Sequence, residues 1–215
     1  MHRPSDVGPT VTEHRIAADE EVRAVLRSLA EPATGGVQLH GGSRAARAEL
    51  LAAVVGTNTP AVVGTNTPAA VGTDASDCSA RGRIVVRLVG PTSAGEVLDV
   101  TAAALVDAAR AAGHPAGHPW PVLAVPLRNR AHPWSVRFGL LAVHVLPNWP
   151  VLVAFEDADA DLTDAGAFRD PDLRDLMTSW ANAPGLGRLL LAAAEPVALP
   201  VNPHRPLRSY RVGAP

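Results

Sequence analysis

Gly41, Gly42, Ser43 and Arg47 follow an apolar run, GGVQLH, and lead into a helix-forming stretch, RAARAELLAAVV. Strand, glycine turn and helix form the layout in which backbone N–H groups and a helix N-terminus gather a phosphate. The full phosphate loop reads G-x-x-x-x-G-K-[ST], with the lysine placing a compact charge at the β/γ oxygens and the hydroxyl holding Mg²⁺. No lysine occurs here, because all nineteen basic residues of the chain are arginines. A lysine base, a Schiff base and a phosphate-loop lysine are therefore excluded throughout. The second candidate group is acidic. Glu156 and Asp157 close the apolar run VLVAF, and Asp159 and Asp161 come just behind them. Acids at the carboxyl end of a buried parallel strand stand where α/β ligand crevices form. The same four acids also fit a plain solvated loop.

Other residues capable of chemistry are less well placed. His114 and His118 are four apart, but Pro115 and Pro119 forbid the helix that would align them. No acid or cysteine stands close enough in sequence to act as a third metal ligand, so the pair reads as a loop pair. Cys78, the single cysteine, lies in the polar run DASDCSARG with no histidine beside it and reads as an exposed thiol. His144 sits among Leu141, Val145 and Leu146 and reads as a packed or interfacial side chain. Trp120, Trp134 and Trp149 lie near prolines and read first as a packed loop, second as a partner surface.

These residues need a scaffold, and the hydrophobic pattern supplies one. GVQLH, RIVVRLVG, VLVAF and RLLLAAA are apolar runs without polar alternation, the mark of strands buried on both faces. Helical spacing appears over 18–31, 43–55, 93–113, 136–146 and 170–185, the last with Asp170 as cap and Pro171 in its first turn. Buried strands alternating with amphipathic helices predict a three-layer αβα sandwich with a mostly parallel sheet of about five strands. Residues 1–17 read as extended or disordered. AVVGTNTP occurs at 53–60, again at 61–68, and in a worn third copy at 69–76, which predicts a loop insertion at about 53–80. Such units are too short for a solenoid.

The chain's 215 residues suffice for one domain with a real core. A net charge of −2 offers no case for nucleic acid or an anionic membrane surface. No run reaches the eighteen apolar residues of a membrane span, and no signal-peptide core appears, so the expected location is cytoplasmic.

The segment PVLVAFEDADADLTDAGAFRDPDLRDLMTSWANAPGLGRLLLAAAEPVALP, 150–200, resembles the second half of the nucleotide-binding core of STAND-type P-loop NTPases. These are signalling ATPases related to NB-ARC and AAA+ domains, found beside TPR or CHAT-type protease domains in high-GC bacteria. HVLPNWPVLVAF is similar to the lead into their Walker B strand, and RIVVRLVG to their second strand. The resemblance spans 18–215. It implies a parallel five-stranded sheet, ATP or ADP with Mg²⁺, and a switch between resting and assembled states.

Carried over by position, the resemblance implies lost groups. Gly41 takes the first glycine of the loop, with Gly42 and Ser43 behind it. Arg44 and Ala46 replace later glycines, Arg47 the lysine, and Ala48 the hydroxyl. Glu156 takes the place of the Mg²⁺-supporting acid, and Asp157 that of the water-activating one. In the matching segment, 189–194, the threonine and arginine that sense the γ-phosphate are both replaced by alanine, and VGAP at 212–215 resembles the turn near the adenine. Lysine, hydroxyl and sensor arginine are gone together, and a single arginine of that kind is worth about 10³–10⁵ in rate. The resemblance thus implies a non-catalytic or weakly nucleotide-binding scaffold module that engages another protein, such as a TPR or protease-effector component. The alternatives are a weak Mg²⁺-dependent ATPase, using Asp157, Glu156 and Arg47, and a fragment of a larger sensor ATPase.

Overall fold

The computed structural model of the chain describes residues 11–56, 83–111 and 119–213. Five strands form one sheet: β1 (Gly36–His40), β2 (Ile84–Leu88), β3 (Val151–Phe155), β4 (Gly187–Ala192) and β5 (Leu207–Arg211). Their order across the sheet is β2-β3-β4-β1-β5, and every neighbouring pair is parallel. Six helices accompany them: α1 (Val11–Ala30), α2 (Arg44–Gly56), α3 (Ala94–Ala111), α4 (Pro119–Arg128), α5 (Trp134–His144) and α6 (Pro171–Asn182). The α/β class and the parallel five-stranded sheet are as the sequence predicts.

Side chains alternate across a strand, so the sheet separates two cores. Val37, Leu39, Val85, Leu152 and Leu190 pack beneath α1 and α2, against Val25, Leu29, Leu51 and Val54. Val86, Val153, Phe155, Leu189 and Leu191 pack on the other face, with side chains of α3, α4, α5 and α6. The chain leaves β1 through α2 on one face and leaves β2 and β3 through helices on the other. The carboxyl ends of β1 and β3, with β4 between them, therefore border a change of face, the place where α/β sheets form ligand crevices.

Three elements differ from the sequence reading. α1 begins at Val11, so the extended or disordered stretch expected over 1–17 is helical from that residue. No glycine or proline interrupts 11–30, and helix propensity carries the element outward. α4 has no counterpart in the helical spacing: Pro119 and Pro121 stand in its first turn, where a proline is tolerated because the N–H has no intrahelical partner, and Pro126 lies within it. Arg137 secures the far end of α4 by donating to the Leu127 carbonyl, and it also donates to Asp99 of α3. β5 has a half-exposed, arginine-bearing pattern that no apolar run announces. His144 is exposed in the last turn of α5 and is not packed. Trp120 and Trp149 meet edge-to-face with ring centroids 4.5 Å apart, and Trp134 Nε1 donates to Asp172, so these tryptophans are packed. Cys78, His114, His118 and most of the repeat at 53–80 lie outside the described residues.

Candidate functional site at the carboxyl ends of the strands

The turn after β1 is short. Gly41 (φ +72°) and Gly42 (φ +57°) are both left-handed, and a Cβ at Gly42 would stand 2.8 Å from the Val212 carbonyl oxygen. Only glycine meets both demands. Ser43 then caps α2, its Oγ accepting from the Ala46 N–H at 3.1 Å. The helix starts at Arg44, with three residues between it and the strand. Ala46, Arg47 and Ala48, aligned by sequence with the end of a phosphate loop, are in the first turns of this helix, as the spacing over 43–55 predicts.

Arg47 turns back beneath this turn and is 4% exposed. Its Nη1 donates to the carbonyls of Gly41 (3.0 Å) and Gly42 (3.1 Å), and its Nη2 to Asp159 Oδ2 (3.0 Å). A phosphate cradle aims N–H groups at an anion. Here two loop carbonyls are aimed at a cation, which is the inverse polarity. The Gly41 N–H is also spent, donating to the Ala194 carbonyl at 2.9 Å. Asp159 completes the closure by accepting from the Ala194 N–H through Oδ1 at 2.7 Å. One carboxylate thus ties the loop after β3 to the ends of both β1 and β4.

The other acids also have partners. Glu156 pairs with Arg87 across the β2–β3 ladder. Asp157 pairs with Arg44 at 2.7 Å, although the Arg44 side chain is 72% exposed and such a pair is worth about 0–1 kcal/mol. Asp161 accepts from the Thr92 N–H at 3.2 Å and keeps Oδ2 buried without a partner. Each of the four acids thus has a bonding partner within the protein, and Asp161 is buried. Thr92 belongs to the lead into α3, where Ser93 and Glu96 cap each other's N–H groups.

Gly41, Gly42, Ser43 and Arg47 do come together with the acidic segment, but Glu156 and Asp157 face arginines of their own. Sequence reasoning overlooked Asp159 as the central acid and Arg44 and Arg87 as its neighbours' partners. A signal existed. Arg44 and Arg47, three apart on a helix, match Asp157 and Asp159, two apart in a loop.

Asp161 carries a pH consequence. Burial, acting against the Thr92 N–H bond and aided by Asp170, Asp157 and Glu96, raises its pKa above 3.8. The folded chain then binds this proton more readily than the unfolded chain does, so the contribution to stability is present below 3.8 and fades as pH rises through the raised value. Asp161→Asn removes that decline. Thermal unfolding should show the variant gaining on wild type between about pH 4 and pH 7; parallel profiles would refute this.

No family model, curated protein or solved structure matches this chain. Among the described residues, no group of three or more His, Cys, Asp or Glu side chains is arranged to hold a metal ion, and no helix is long and apolar enough to cross a membrane.

Proposed function

We propose that this chain is a non-catalytic scaffold module with a P-loop-like sheet, whose former ligand crevice is closed by its own side chains. One observation carries the reading: Arg47 lies under Gly41 and Gly42 and is held there by Asp159. A triphosphate entering this place would meet carbonyl oxygens, and its cation is already committed to a carboxylate. Mg²⁺ fares no better. Ala48 has no hydroxyl, Ser43 Oγ serves the helix cap, and Glu156 and Asp157 are paired with arginines. The residues present do not fit a Mg²⁺–nucleotide. The kinship with STAND-type signalling domains, the cytoplasmic location and a protein partner such as a TPR or protease-effector component belong to the same proposal.

Titration calorimetry with Mg²⁺–ATP and Mg²⁺–ADP tests it. The expected result is no saturable heat at millimolar nucleotide, a limit corresponding to about −4 kcal/mol of binding free energy. Micromolar binding would overturn the scaffold reading. The rival, a weak ATPase, draws on the left-handed glycine pair and on Asp157 at the end of β3. Turnover abolished by Asp157→Asn would establish it.

A further inference from the structure

Three arginines, Arg83, Arg188 and Arg205, gather at the opposite rim of the sheet, at the amino ends of the strands. Arg188, on β4, is 4% exposed. Its Nη1 donates to the carbonyls of Gly185 (2.9 Å) and Gly187 (2.7 Å), and its Nη2 to those of Glu31 (3.2 Å) and Pro32 (3.4 Å), just past the end of α1. Arg205, before β5, donates to the same Gly187 carbonyl at 3.4 Å and to Thr34 and Ala181 carbonyls. Two guanidinium groups therefore share one acceptor. Arg83 precedes β2 and adds the third charge. Burial, then the charges of Arg205 and Arg83, bring Arg188 down to about 10. Burial lowers Arg83 and Arg205 as well.

Among the described residues, no carboxylate is bonded to any of the three. The acid in this network, Glu31, gives its side chain to Arg208 (3.2 Å) and Thr34 (3.4 Å). Two donors are buried with no partner, Arg188 Nε and Arg83 Nη1. Desolvating like charges together is costly, and the carbonyls at the end of α1 offset only part of that. Carbonyls take four bonds from Arg188 and three from Arg205, so the buried donors left for an anion are Arg188 Nε and Arg83 Nη1; an oxyanion accepts charge-assisted bonds from such donors.

We propose that this rim is a binding site for a phosphate-type oxyanion, held between Arg83, Arg188 and Arg205. Arg188 forms the buried floor, and the less buried Arg83 and Arg205 form the mouth. The anion can be free phosphate or the terminal group of a small phosphomonoester. The site lies across the sheet from the crevice closed by Arg47 and does not depend on how that crevice is read.

The test is thermal unfolding at constant ionic strength, with chloride exchanged for inorganic phosphate or, in a second arm, glycerol phosphate. A saturable rise of roughly 2–4 °C is expected in wild type and in Arg44→Gln, which alters the far crevice. The rise disappears in Arg83→Gln. A larger response in the second arm assigns the site to phosphomonoesters, and an equal one to free phosphate. General salting-out by phosphate raises every variant alike without saturating, and that pattern alone would overturn the proposal. So would a saturable rise that survives Arg83→Gln or vanishes in Arg44→Gln. Should Arg83→Gln fail to fold, ³¹P linewidths with wild-type protein decide: saturable broadening supports the site, and unchanged lines refute it.

Discussion

Asp159→Ala is expected to lower the free energy of unfolding by about 2–3 kcal/mol, a drop of roughly 5–10 °C in melting temperature. The substitution strands Arg47, whose side chain is 5% exposed, with part of its charge unmet, and it removes the acceptor of the Ala194 N–H. Breaking a fully buried pair costs about 3–5 kcal/mol, and the figure here is lower because the Asp159 side chain is 37% exposed. Asp157→Ala, which frees the exposed Arg44, should cost under about 1 kcal/mol. Urea unfolding followed by far-UV circular dichroism separates the two. Equal losses would mean that Arg47 is not held by Asp159 and that the crevice is not latched.

A larger loss is expected from Gly36→Ala. β1 lies between β4 and β5, and a Cβ at Gly36 would fall 2.3 Å from the Leu189 oxygen and 2.8 Å from its nitrogen. Both are backbone atoms of β4, opposite Gly36 in the ladder, so relief requires the strands to part. The cost should exceed about 4 kcal/mol, enough to leave little soluble folded protein. Gly139→Ala in α5 is the control. Nothing lies within 4 Å of its added Cβ, and helix propensity predicts a gain of up to about 1 kcal/mol. Soluble yield and melting temperature of the pair provide the measurement; a Gly36 variant that melts with wild type would contradict the strand spacing.

The sheet was legible because VLVAF and RLLLAAA are apolar without alternation, a pattern that only two-sided burial explains. β5 escaped because an edge strand carrying Arg208 and Arg211 has no such pattern. Composition located the candidate site but not its polarity. Gly41 and Gly42 announce a turn, and the acids after β3 announce a crevice rim, yet both messages suit a ligand as well as an internal ion pair. The choice was made by Arg47: the helix over 43–55 was legible to within a residue, but nothing in the sequence says that this side chain turns back under Gly41 and Gly42 to meet Asp159. The arginines at the other rim were illegible for a similar reason, since Arg83, Arg188 and Arg205 meet only once the strands are in order.

All four tryptophans belong to a single layer of this sandwich. Trp120 and Trp180 are buried in the core that α3 to α6 share with the sheet, and Trp134 and Trp149 pack against it; the α1–α2 side has only Tyr210. Indole emission thus watches one half of the molecule. A form that shed its first two helices while keeping the rest would go on glowing as if native, and a probe attached to α1 would be needed to see it.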